Sequence, residues 1–366
     1  VDNIIKKGRY PVMKRSVSFL VVFILVFLFV TAGSAQTYKP EYKMSIVVGP
    51  AGPWGEGAAR FAEAVRKYTD GRINIKPYYS GQLFAGKQTN EFLLMKQGVI
   101  DFALGSTINW STTVKELNLF SMPFFFPDYK ALDAVENGEV GKRLFKIIEE
   151  KGVVGLGWAE NGYRELTNSK KAVKRPGDLD GLKVRVVGSP IFIDTFKAMG
   201  ANPVSMNWGE ALSAFQQGTV DGQENPVVSV IIPNKLWQVH KYATIWHYAI
   251  DPLILGVSKD VWDGFSAQDK EAIKKAADET VAWQKKGARE GLEGSMETLN
   301  GLKKNGMDVT VLTPQQVKAF KDKTRPVYDK WAKEIGTDLV AMAEKEIQKA
   351  AKGAAKPAPK PKAPKK

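Results

Sequence analysis

The stretch from Gly181 to Pro226, GLKVRVVGSPIFIDTFKAMGANPVSMNWGEALSAFQQGTVDGQENP, decides how the rest of the chain is read. The β-branched run Lys183 to Val187 predicts a strand, and that strand carries Arg185 on a rigid element. Ile191 to Met199 and Glu210 to Gln217 predict helices, closed by Gly200 and Gly218, where a helix end favours a left-handed residue. The run Gly218-Thr219-Val220-Asp221-Gly222-Gln223-Glu224-Asn225-Pro226 then crowds hydrogen-bonding side chains into a turn directly after a helix.

The same rhythm appears upstream. Tyr42 to Val48, Ile73 to Tyr79 and Val99 to Leu104 predict strands; the Gly/Pro-rich turn Gly49 to Gly57 opens a helix Ala58 to Thr69, and Thr89 to Gln97 is a helix ended by Gly98. Strands alternating with helices predict an α/β fold, and 366 residues allow two lobes. The expected boundaries are 37–161 plus about 250–290 for the first lobe and 162–249 plus about 291–348 for the second. Between Ser266 and Lys304 a proline-free stretch of helical periodicity predicts a long helix crossing both lobes, bent by Gly287, Gly291 and Gly294.

Both ends have their own character. Lys14 and Arg15, an apolar run from Val17 to Val30, and the small residues Ala32 to Ala35 predict a signal peptide over 1–35, cleaved after Ala35, and export to the periplasm; an uncleaved anchor is the alternative. The net charge of +14 is concentrated at the ends: five cations against one acid in 1–35 and seven lysines in 349–366 leave only about +3 for the body. That balance argues against a nucleic-acid partner. The Lys/Pro/Ala tail, 349–366, has nothing to bury and is expected to be disordered. The chain has no cysteine, which excludes disulfides, thiolate metal sites and a lipid-modified cysteine.

Motifs for catalysis are sparse. The two histidines, His240 and His247, have no metal-binding spacing, and there is no Gly-x-Ser-x-Gly elbow or phosphate-binding loop. Gly155 and Gly157 lack the third glycine of a dinucleotide fingerprint. Asp221 and Glu224 read as turn and cap residues rather than as an acid and base. No enzyme activity and no cofactor are expected.

Six strings in order give the chain its resemblance to a known family. They are Gly81-Gln82-Leu83, Met122-Pro123-Phe124-Phe125-Phe126, Gly162-Tyr163-Arg164-Glu165-Leu166-Thr167, Asp178 to Arg185, Gly200 to Met206 and Gln217 to Pro226. Together they resemble the TRAP-transporter substrate-binding proteins of the DctP family over nearly the whole mature chain. The resemblance implies a two-lobed Venus-flytrap fold, type II-like, that closes on a small organic acid and delivers it to the TRAP membrane permease subunits. A monomer is expected, with the oligomeric state left open by the sequence.

By the same resemblance Arg185 clamps the ligand carboxylate, a role that suits the planar fork of a guanidinium. Asn225 supplies a second polar contact, and Arg164 either touches ligand or pairs with an acid. Trp208 stands where the family places an aromatic wall; Trp54, in the first strand-to-helix turn, and Trp110, after the third strand, are the other candidate wall residues. Ser106 occupies a position that is glutamate in the family's sialic-acid receptors, which argues against that ligand here, and the retained Asn225 argues against a required metal. Two alternatives stay open: a sensory receptor coupled to a histidine kinase, and an enzyme on the same scaffold with Asp221 or Glu224 as base.

Overall fold

The computed structural model describes residues 38–84, 86–292 and 295–354. The expected leader and residues 355–366 lie outside these, and no helix among the described residues is long and apolar enough to cross a membrane.

Ten strands are described, numbered in chain order: β1 Tyr42–Ser45, β2 Ile75–Tyr78, β3 Phe102–Ser106, β4 Val153–Asn168, β5 Lys183–Val186, β6 Asn202–Ser205, β7 Gly222–Pro226, β8 Tyr242–Ile245, β9 Ile250–Ser258 and β10 Asp308–Val311. They run in the order β2-β1-β3-β9-β4-β7-β5-β6, with β8 on β4 and β10 on β8.

The 16-residue β4 organises this arrangement. From Val153 to Tyr163 it pairs antiparallel with β9, which in turn borders the parallel set β1, β2 and β3. From Arg164 onward it pairs with β7 and β8, and the parallel strands β5 and β6 extend that half. The change of partner coincides with a register shift between Glu160 and Gly162. Gly162 sits at φ 120°, in the region that penalises a side chain. One strand thus feeds both halves of the sheet, and the site residues Asn161, Arg164 and, on β9, Asp251 all lie at the crossover.

Several expectations shift when residues meet their neighbours. The first helix spans Gly52–Tyr68 and so takes in most of the stretch read as a turn; Pro53 fits a first helical turn, where its missing N–H is not needed. Ser266 to Lys304 forms two helices, Ala267–Ala288 and Glu297–Lys304. Gly291 adopts φ 67° between them, and Gly294 lies outside the described residues. Ala267–Ala288 packs along Gly52–Tyr68 and β4 and reaches the segment Val227–Ile231 that follows β7, so it touches both halves. A second long helix, Pro314–Ile335, packs against both Pro190–Ala198 and Lys115–Ser121. At the C-terminal end the helix Thr337–Ala354 runs through Lys349, Ala350 and Lys352, which the sequence reading placed in the disordered tail; alanine and lysine are strong helix formers.

Candidate functional site

A cavity with about 300 Å³ of space between its atoms, part of it open to solvent, lies where the crossover of β4 meets β5, the end of β3 and the starts of two helices. Its lining includes Arg185, Arg164, Asn225, Trp208, Trp54 and Ser106, six of the seven residues singled out from sequence. The two arginines, each about 1% exposed, differ in how their charge is met.

Arg164, on β4, is surrounded by acceptors. Its Nε donates to Glu224 Oε2 in a short bond, and Nη2 donates to Glu224 Oε1 at 2.9 Å, to the Glu224 carbonyl at 2.7 Å and to Asn225 Oδ1 at 3.0 Å. Nη1 reaches Asp251 Oδ2 at 3.2 Å. Burial opposes its charge, but Glu224 and then Asp251 outweigh that and hold the guanidinium firmly protonated. Of the two roles open to Arg164, it therefore fills the acid-paired one while still lining the cavity.

Arg185, on β5, has much less support. Its Nε donates to the Met206 carbonyl at 2.9 Å and its guanidinium carbon lies 5.5 Å from the centre of the Trp208 ring. Nη2 is buried and has no hydrogen-bond partner among the described residues, and no carboxylate there forms an ion pair with this side chain. Burial chiefly pulls its pKa down to about 10, with Glu224 opposing and the Arg164 charge adding to the fall, so the guanidinium stays positive with no carboxylate among the described residues in ion-pair contact. An arrangement of this kind binds an anion.

Around Arg185 the remaining groups are placed by secondary structure. Trp208 opens the helix Trp208–Gln217, and Trp54 lies in the first turn of Gly52–Tyr68, where its indole N–H donates to the Leu104 carbonyl at 2.7 Å. Ser106 caps the short helix Thr107–Trp110 and donates to Asp251 Oδ1 at 2.7 Å. Asn225 lies on β7, where the sequence predicted a turn, because that run pairs with β4; one amide hydrogen is on Gln223 Oε1 at 2.5 Å, leaving the second for the cavity.

Trp110 is not part of the wall. It is fully buried, with its indole N–H on Glu91 Oε2 at 2.9 Å and its ring edge-on to Phe92. The ring lies across Gly105 of β3 and Gly256 of β9, where an added Cβ would come within 2.5 and 2.8 Å of it. Those two glycines open a slot in the sheet face that a single local stretch of sequence does not announce.

Four polar lining residues escaped the sequence reading: Gln88, Asn109, Asn161 and Asp251. Asn161 immediately precedes the Gly162 to Thr167 string, a signal that could have been used. Asp251 sits in β9, ninety residues later in the chain, and Gln88 and Asn109 come from separate short helices, Gln88–Asn90 and Thr107–Trp110; only folding brings these four together.

The chain matches the family model "Bacterial extracellular solute-binding protein, family 7" (DctP) over residues 44–334. Among curated relatives, the C4-dicarboxylate-binding periplasmic protein DctP of Rhodobacter capsulatus is 33% identical over 82% of this chain and 88% of its own length. The 2,3-diketo-L-gulonate-binding periplasmic protein YiaO of Escherichia coli is 31% identical over 80% and 87%. A crystal structure of a TRAP periplasmic solute-binding protein from Ralstonia eutropha with bound (S)-2-acetolactate is 52% identical with a TM-score of 0.84, covering 85% of this chain and 100% of that one. The galactonate complex of DctPAm from Advenella mimigardefordensis is 29% identical with a TM-score of 0.79, covering 85% and 98%.

Proposed function

The chain belongs to family 7 of the bacterial extracellular solute-binding proteins, the DctP family, and from that membership we propose that it is an extracytoplasmic receptor that captures a small organic carboxylate for a TRAP-type transporter. The observation that carries this reading is Arg185, a buried cation with an unpartnered Nη2 that lines the cavity. A carboxylate arriving there supplies the missing counterion and accepts a charged hydrogen bond, while the second amide hydrogen of Asn225 completes its coordination. Trp54 and Trp208 cover the apolar part of the ligand.

Binding is coupled to closure of two lobes, 37–161 plus about 250–290 and 162–249 plus about 291–348, about the β4 crossover. The reading draws support from polar contacts that join the two sides: the Ser111 and Ser189 hydroxyls are 3.3 Å apart, and Ser189 Oγ donates to Asn118 Oδ1 at 3.2 Å. Ligand shifts the open and closed populations because only the closed arrangement makes contacts from both sides. The closed form is what the permease reads. The receptor works as a monomer, performs no turnover, and leaves its signal peptide behind on export.

A thermal-unfolding panel of monocarboxylates, dicarboxylates, keto acids and sugar acids tests the reading. A ligand at 100 times its Kd stabilises the protein by about 2.7 kcal/mol. Arg185→Lys weakens every acid that binds, since a point charge cannot reproduce the guanidinium fork. A panel in which only sugars or amines raise the Tm, or an Arg185→Lys protein with unchanged affinity, would defeat the proposal.

A further inference from the structure

Asn161 is 1% exposed, lines the cavity and has an Oδ1 with no partner among the described residues. The orientation of its amide is set by Asp251, whose Oδ2 accepts from Asn161 Nδ2 at 2.7 Å. Burial raises the pKa of Asp251, while Arg164, Asn161 and Ser106 favour its ionised form; a carboxylate only accepts, so the nitrogen faces Asp251 and the oxygen faces away from it. Asp251 is itself filled: Oδ1 takes the hydroxyls of Ser106 at 2.7 Å and Thr107 at 3.3 Å, and Oδ2 takes Arg164 Nη1 at 3.2 Å besides Asn161. The Asn161 carbonyl is therefore the acceptor left over on this side of the cavity, and a buried acceptor left without a donor is costly.

We infer that Asn161 selects the ligand: the acid bound at Arg185 is a hydroxy monocarboxylate whose hydroxyl donates to Asn161 Oδ1, and dicarboxylates are rejected. The inference rests on the carboxylate-receptor reading and specifies its substrate class.

Charge counting leads to the same class. Glu224 and Asp251 both pair with Arg164, which leaves Arg185 with no carboxylate among the described residues in ion-pair contact. One carboxylate placed at Arg185 is met locally by an unpaired cation. A second would find Arg164 already held by two acids, with the Asp251 carboxylate and the Asn161 carbonyl facing it. Both are acceptors, and so is the incoming group. An ammonium is a poorer fit than a hydroxyl, because it carries several donors to one open acceptor and would lie beside the Arg164 guanidinium.

The test is titration calorimetry on sets of acids of four, five and six carbons, each set holding the hydroxy acid, the deoxy acid, the amino acid and the dicarboxylate of the same chain length. In the unaltered protein the best hydroxy acid should bind about 10- to 100-fold more tightly than its deoxy counterpart, and more tightly still than the dicarboxylate. In Asn161→Ala the hydroxy-to-deoxy ratio should collapse to within about threefold of unity, with the deoxy acid little changed. The unaltered protein's preference order stands as a test even where Asn161→Ala does not fold. A dicarboxylate or amino acid that binds as tightly as the hydroxy acid overturns the inference, as does a ratio that survives in Asn161→Ala; in each case the receptor reading stands, because acids still bind. A protein that binds no acid in any set overturns both.

Discussion

The backbone N–H of Trp208 donates to Gln88 Oε1 at 2.7 Å, while the same amide's Nε2 donates to Asn109 Oδ1 at 2.8 Å. One side chain thus ties the first residue of the helix that carries the ligand wall to the turn and short helix on the opposite side of the cavity. The backbone N–H of Gln88 adds a contact to Asn207 Oδ1 at 3.3 Å. The bridge is buried, so a partner left behind on its loss is not rescued by bulk water.

Gln88→Leu should therefore act on release. It leaves the Trp208 N–H without its acceptor in the closed arrangement, and it should speed ligand dissociation about tenfold while changing the association rate far less. Stopped-flow tryptophan fluorescence with a bound acid measures both rates. An unchanged dissociation rate would remove Gln88 from the closure contacts.

Arg185 should trade stability for binding. Replacing this unpaired buried cation with methionine removes a desolvation cost, so ligand-free Arg185→Met should be more stable than the unaltered protein by about 1–3 kcal/mol in urea unfolding while losing acid binding. A destabilised Arg185→Met would mean that the side chain is structural.

Arg164 should behave in the opposite way. Its removal leaves Glu224 and Asp251 as buried carboxylates stripped of their shared cation, and Arg164→Met should cost about 3–5 kcal/mol in the same measurement. The contrast between two arginines in one cavity is the sharper test, because both substitutions delete the same chemical group.

His240 should give the protein part of its acid sensitivity. It is buried, its Nδ1 lies 2.9 Å from Thr167 Oγ1, and burial pushes its pKa down to about 4. The unfolded chain then takes up a proton near pH 6.5 that the folded one refuses until about pH 4. Stability from this residue is present above about 6.5 and is lost as pH falls toward 4. His240→Gln, neutral at every pH, should narrow the stability gap between pH 7 and pH 4.5 by about 2–3 kcal/mol relative to the unaltered protein, read from denaturant unfolding at the two pH values. An unchanged gap would contradict the assignment.

Legibility from sequence followed the range of the forces involved. The β5 strand, the helices ending before Gly200 and Gly218, and the position of Arg185 depend on neighbours within a few residues, and they are found where the local pattern puts them. Boundaries moved where a local signal was double-edged: Pro53 reads as a turn residue but also suits a first helical turn, and the lysine-alanine stretch near Lys349 reads as tail or as helix. Trp54 and Trp110 shared one expectation and met different fates, because the slot at Gly105 and Gly256 depends on the pairing of β3 with β9.

The sequence by itself determined the α/β class and the family and singled out Arg185 as the candidate anchor, since periodicity, helix ends and the motif strings are encoded in short stretches. Only the tertiary structure decided which arginine is free. Arg164 and Arg185 are indistinguishable as residue types, and their difference comes from Glu224 and Asp251, carried by β7 and β9, converging on one of them and not the other. The leftover carbonyl of Asn161 has the same origin: an amide becomes selective only when a carboxylate from a distant strand takes its nitrogen.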